Sequence, residues 1–208
     1  MRIDRLASAP DRAGRYLVCF GDGTTMRLYR QTVEDHGLYS GKELTPQQME
    51  RLVSDAGRMS AKMRAVRIVS ATSVSRKDLE DRLIQKGEDA VYAKEAVRWM
   101  EELHLVDDKN TAEQVVHSCI SKGYGLARAK QALYEKRIPK EYWDEALADY
   151  PDQNEKIRAF LRSRLDARSD RRDVKKAVDA LLRRGHSYGS IRRELDRMDV
   201  DRDEFPEE

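Results

Sequence analysis

The 208-residue chain is 39% apolar and 38% charged, less apolar and more charged than an ordinary globular protein. Its two cysteines, Cys19 and Cys119, supply neither a disulfide framework nor zinc-ligand spacing, which fits a reducing compartment. No apolar run has the length of a signal peptide or of the roughly 20 residues a membrane helix needs, so a soluble cytoplasmic protein with no membrane partner is expected. The near-neutral total hides sorted charge: net +4 over 1–71, −4 over 72–152, +7 over 153–198 and −5 over the last ten residues. A basic block followed by an acidic tail points to contact with a polyanion.

In chain order, RYLVCFGDGTTMRLYR (15–30) is the one β signal: two short apolar runs flank Asp22-Gly23, which can supply the positive φ of a tight hairpin turn. A lone hairpin is marginal in water and must pack on something helical. From Thr45-Pro46 onward the pattern is helical, with a capping hydroxyl directly before a first-turn proline. This helix is expected to run to about Asp55 and to break at Gly57, with a second one from Arg58 carrying Met59, Met63 and Val66 on one side. Ser75 opens the next helix, Leu79 and Leu83 sit a turn apart, and Gly87 stops it. Ala112, Val115, Val116, Cys119 and Ile120 form a full helical stripe, as do Val174, Ala177, Val178, Leu181 and Leu182. Tyr188, Ile191, Leu195 and Met198 form a narrower one.

Anchoring on the turns exposes a repeat. Twelve, eight and four residues before Gly87 stand Ser75, Leu79 and Leu83; before Arg137, Gly125, Ala129 and Leu133; before Gly185, Asp173, Ala177 and Leu181. The period of about 50 residues accommodates three short helices per unit, and small units of this kind stack to complete their cores. The fold class expected is mainly α, a tandem array of three three-helix repeats forming an elongated, curved body behind a small segment containing a β-hairpin. The divisions are 1–57 for the hairpin and helix segment, 58–107, 108–152 and 153–198 for the repeats, and 199–208 for the acidic tail.

Catalytic chemistry is sparse. His36, His104, His117 and His186 are scattered, and His117 and Cys119, two apart, fall on different helix faces. Cys119 lies on an apolar stripe and reads as core. Asp107-Asp108 reads as a helix cap and dipole partner. With no phosphate-loop, GxSxG or HExxH pattern, neither an enzyme nor a cofactor or metal site is expected. Tyr134, Tyr142, Trp143, Tyr150 and Tyr188 read mainly as packing anchors, while Tyr124, between two glycines, is expected on the surface.

The basic residues are the candidate site. Arg171, Arg172, Lys175, Lys176, Arg183, Arg184, Arg192 and Arg193 lie off the apolar stripes of the last unit, and Arg171 and Arg172 oppose the dipole at a helix entrance, a cost that a negatively charged partner would offset. Local pairing with Asp173, Asp179, Glu194 and Asp196 is the competing explanation. Lys86, Lys122, Arg128, Lys130, Lys136 and Arg137 extend the set into the earlier units, recurring with the turns along one edge.

SRKDLEDRLIQKG, LVDDKNTA, KGYGLARAKQALYEKRI and KKAVDALLRRGHSYGSIRREL together resemble the RecX regulatory family over about residues 58–198, and the hairpin with DHGLYSGKEL is similar to an N-terminal part some members carry. The resemblance implies a right-handed array of three repeats that lies in the groove of a RecA recombinase filament and contacts single-stranded DNA weakly or indirectly. It further implies modulation, with inhibition the expected sign, of ATP hydrolysis, strand exchange and co-protease activity in homologous recombination, DNA repair and the SOS response. A monomer is expected. This chain departs from the family pattern at Ala71-Thr72-Ser73-Val74, where basic residues are usual, at Thr111, at His117 and Cys119, and at Gly185-His186, where a Gly-Phe-like turn is common. The alternatives are a stand-alone nucleic-acid-binding helical-repeat protein and a scaffold that recognises only protein.

Overall fold

The computed structural model describes residues 1–166 and 169–198, and the chain divides into two compact units, Met1–Val106 and a second from Asp107. The first begins with an antiparallel sheet in the order β1-β2-β3, formed by Ile3–Leu6, Arg15–Phe20 and Thr25–Tyr29. The expected hairpin is β2–β3, with Leu17 opposite Arg27 and Tyr16 opposite Leu28. Its turn differs in detail: only Gly23 takes positive φ, while the Asp22 carboxylate accepts bonds from the Thr24 amide and hydroxyl. Sequence reading also missed β1. IDRL is half charged, and it holds its place through two backbone partners, β2 on one side and the 41–42 backbone on the other (Ile3 N to Lys42 O, 2.8 Å; Gly41 N to Ile3 O, 2.7 Å). Ile3, Val18, Phe20 and Leu28 share one face and form a core with Leu38, Leu44 and Leu52. The short helix α1 (Arg30–Asp35) follows β3.

Helix α2 runs unbroken from Pro46 to Ala71. Thr45 and Gln48 close a reciprocal capping box at its start. The break expected at Gly57 does not occur, and the reason is packing: a Cβ at Gly57 would stand 2.5 Å from the Tyr92 ring. The glycine admits that ring, whose hydroxyl donates to Ser54 Oγ at 3.2 Å. The helix therefore serves two cores. Its first half gives Leu52 to the sheet. Its second half gives Ala61, Ala65 and Ile68 to a cluster with α3 (Arg76–Gln85) and α4 (Ala90–Glu102). Alanines face alanines here, with Ala61, Ala65, Ala93 and Ala96 all shielded, so the α2 and α4 backbones can approach closely.

In the second unit, α5 (Asp108–Ser121), α6 (Leu126–Glu135), a 3-10 turn at Lys140–Tyr142 and α7 (Trp143–Leu147) enclose Ala112, Val116, Leu133 and Ile138. Helices α8 (Asn154–Arg164), α9 (Arg171–Arg183) and α10 (Tyr188–Asp196) enclose Ile157, Leu161, Leu165, Ala177, Val178, Leu181, Ile191 and Leu195. The stripes hold with two exceptions at their edges: Leu182 and Tyr188 are exposed. Cys119 is buried, and burial pushes its thiol pKa up, as a core filler requires.

The three anchors share one local geometry. Gly87, Arg137 and Gly185 all adopt left-handed φ (86°, 54° and 84°). Each ends its helix with the same pair of bonds: Glu88 N to Leu83 O and Gly87 N to Ile84 O after α3, Ile138 N to Leu133 O and Arg137 N to Tyr134 O after α6, and His186 N to Leu181 O and Gly185 N to Leu182 O after α9. This is the double-bonded stop that satisfies orphan carbonyls. The residues eight and four before each anchor (Leu79 and Leu83, Ala129 and Leu133, Ala177 and Leu181) are all buried. The start of the period is less regular. Ser75 and Gly125 are N-caps, but α9 begins a turn earlier than Asp173, capped by Asp170, which accepts from the Arg172 and Asp173 amides. With Asp170 as the cap, Asp173 falls in the first turn, where its charge complements the helix dipole.

Candidate interaction surface

Lys86, Lys136 and Arg184 are the C-caps of α3, α6 and α9. A cation there complements the helix dipole, worth about 0.3–1 kcal/mol, so the basic residues before the turns have a structural use in addition to any contact with a partner. Around the left-handed turns Lys86, Lys122, Lys130, Arg137, Arg183 and Arg184 are exposed, and Arg128 and Lys136 are half-buried. On α9 and α10, Arg171, Arg172, Lys175, Lys176, Arg192 and Arg193 are all exposed.

Pairing sorts these groups. Arg128 bonds Glu135 at 2.9 Å, which raises its own pKa and holds the Glu135 carboxyl below its usual value, with Gln131 assisting. Lys176 meets Asp173 at 3.1 Å. Glu194 is fully buried and accepts from Arg158 (2.7 Å) and Arg197 (2.6 Å); it does not offset Arg192 or Arg193. Among the described residues Arg172, Lys175, Arg183, Arg184 and Arg192 have no ion pair. Local neutralisation, the competing explanation for the arginine-rich face, thus covers only part of it.

The second unit brings several candidates together. The turn after α5 (Lys122–Gly125) lies against the turn after α9 (Arg184–His186). Gly125 N donates to Arg184 O at 2.9 Å and Ala127 N to Gly185 O at 3.3 Å. A Cβ on Gly125 would stand 2.0 Å from Gly185 O, and one on Gly185 would stand 2.2 Å from Arg128 N. This closeness explains why α6 is capped by glycine where α3 uses Ser75. His186 is buried with Nε2 3.1 Å from Gly123 O, which gives a physical reason for histidine where the resemblance leads one to expect an apolar ring. Burial, aided by Arg184, lowers its pKa against the opposing pull of the Gly123 carbonyl. Tyr124 is half-buried, contrary to the surface position expected, and its carbonyl accepts from Tyr150 Oη at 2.7 Å. That tyrosine's pKa is pushed up to about 12 by burial.

Sequence reading passed over α8. Lys156, Phe160 and Arg164 stand one turn apart on it. The Arg184 guanidinium lies 4.4 Å from the centre of the Phe160 ring, and Arg164 lies 5.7 Å from it. Lys156 packs along the site that a Gly123 side chain would occupy. The four-residue spacing was legible, but the pairing of Phe160 with an arginine of α9 was not.

No group of three or more His, Cys, Asp or Glu residues among the described residues is placed to hold a metal ion, and no described helix is long and apolar enough to cross a membrane. The candidate residues are exposed or half-buried cations on small helical groups, some of them held by carboxylates or by an aromatic ring. Residues 107–147 match a family model described as the second three-helix domain of RecX. Regulatory protein RecX of Clostridioides difficile (strain 630) is 23% identical over 203 residues, covering 95% of this chain and 94% of that protein. The RecX of Halorhodospira halophila is 28% identical over 159 residues, covering 74% and 99%. Among solved structures, a crystal structure of regulatory protein RecX shares the fold with a TM-score of 0.62 over 94% of this chain and 98% of that one, at 21% identity. RecX from Lactobacillus salivarius gives 0.58 over 69% and 97%, at 26% identity. Over nearly its whole length the chain is thus similar to regulatory proteins of the RecX family.

Proposed function

We propose that this protein is a non-enzymatic, cytoplasmic regulator that binds a RecA recombinase filament as a monomer and inhibits its ATP hydrolysis, strand exchange and co-protease activity. Residues 58–107, 108–152 and 153–198 act as three repeats in an elongated, curved strip that spans neighbouring filament subunits and hinders their motion. The observation that carries the reading is the recurrence of one device. Helices α3, α6 and α9 each end in a left-handed turn with a cation at the C-cap, so equivalent basic groups recur with the repeat. Many weak contacts of this kind add as avidity and need no single strong site. Arg171, Arg172, Lys175, Lys176, Arg183, Arg184, Arg192 and Arg193 supply the main contacts, to phosphates or to acidic recombinase surface. Lys86, Lys122, Lys130, Lys136 and Arg137 extend them, and Arg128, held by Glu135, contributes less.

Filament ATPase measured with wild type and with an Arg183→Ala/Arg184→Ala double variant tests this. The variant is expected to inhibit at least fivefold more weakly; equal inhibition would remove both residues from the mechanism. A stand-alone nucleic-acid binder would instead bind single-stranded DNA tightly without recombinase, with a steep salt dependence from released counterions. A protein-only scaffold would keep its partner affinity after nuclease treatment.

A further inference from the structure

Three of the cations of the α8–α10 group that lack a carboxylate lie where α8 ends and α9 begins. Arg162 and Arg164 occupy the last turn of α8 and Arg172 the first turn of α9, and none of the three has an ion pair among the described residues. Arg184, at the other end of α9, lies over Phe160, so its guanidinium and that of Arg164 are held within about 10 Å of each other around one ring. Exposed like charges at that separation repel weakly through salt, and an anion between them would relieve the repulsion.

The chain continues from the end where α8 stops. Helices α8 and α10 run side by side in one direction: His186, before α10, and Lys156, early in α8, both meet Gly123, and further along Glu194 meets Arg158. Met198 and Phe160 both pack against the core that these helices enclose. The next ten residues, Asp-Val-Asp-Arg-Asp-Glu-Phe-Pro-Glu-Glu, carry net charge −5 and lie outside the described residues. Extended, they reach about 33 Å, more than the roughly 20 Å length of α9. Following directly on Met198, they are long enough to reach Arg164, Arg172 and Arg184.

We propose that the acidic segment 199–208 is an intramolecular ligand of the arginines of its own last helical group, and that it competes there with any polyanion. Tethering supplies the segment at a millimolar effective concentration, so an intrinsically weak, salt-screened contact is enough to occupy the site in part. The competition rests on the reading of this face as polyanion-binding, whereas the fold-back stands or falls independently of it.

The test compares the full chain with a variant in which Asp199, Asp201 and Asp203 become Asn and Glu204, Glu207 and Glu208 become Gln. The side-chain Nε–Hε resonances of Arg164 and Arg184 report the contact, and the affinity for a fluorescein-labelled oligothymidylate reports the competition. Neutralisation is expected to shift both resonances toward those of solvated arginine. It should also tighten oligonucleotide binding about five- to tenfold near 50 mM salt, a difference that closes as salt screens the tail. Unmoved resonances would overturn the proposal even if affinity rose, because long-range repulsion alone would then account for the rise. Shifted resonances with no oligonucleotide binding in either form would uphold the fold-back and refute the polyanion reading instead.

Discussion

Replacing Gly125 by alanine perturbs the junction where the turns after α5 and α9 meet. The new Cβ would lie 2.0 Å from Gly185 O, 2.2 Å from Gly185 C and 2.5 Å from His186 N, all backbone atoms that no side-chain rotation can move aside. Restoring ordinary contact requires the two turns to separate by more than about 1 Å, given that interiors are close-packed. Such a separation loses the Gly125–Arg184 and Ala127–Gly185 backbone bonds and the His186–Gly123 contact. Each such bond is worth about 0.5–1.5 kcal/mol net, so Gly125→Ala should destabilise the second unit by about 3 kcal/mol. Gly189→Ala is the matched control. Its Cβ meets nothing within 4 Å, and it lies in the first turn of α10, so the change should be neutral or stabilising by about 0.5 kcal/mol. Urea unfolding followed by helical circular dichroism gives the stability, and hydrogen exchange at the amides of 123–128 localises the loss. A Gly125→Ala protein within about 0.5 kcal/mol of wild type, with unchanged exchange there, would refute the close-approach argument.

His186 and Glu194 give two further expectations. The His186 pKa is lowered by burial from 6.5, so the folded chain disfavours its charged form. Its neutral state costs nothing above the unfolded pKa, and stability falls as pH drops from about 6.5 toward the lower folded value while the unfolded state takes up the proton. His186→Phe should remove this part of the acid sensitivity in thermal melts between pH 7 and pH 5; an unchanged slope would assign it elsewhere. Glu194→Gln leaves Arg158 and Arg197 without the buried carboxylate that both use. Because those arginines are themselves partly solvated, the cost should be about 2 kcal/mol rather than the larger loss from a fully buried pair. It should exceed the cost of Arg197→Ala in the same denaturant titration.

What the linear chain determined was set by local chemistry. Cap residues, helical apolar spacing and the residues at the turn anchors dictate short helices with defined stops, and Leu79, Leu83, Ala129, Leu133, Ala177 and Leu181 are buried where the period puts them. The basic character of the last unit is likewise a matter of composition. Tertiary structure decided whatever depends on a distant partner. Gly57 reads as a breaker until Tyr92 fills the space over it, and β1 is invisible until β2 and the 41–42 backbone bond to it. At the candidate surface, only packing revealed which arginines are already neutralised, that Arg184 rests on Phe160, and that His186 is locked inside the turn junction. Helix stops and stripes arise from neighbours within a few residues, whereas glycine clearance, strand pairing and charge compensation are set by side chains tens of residues away.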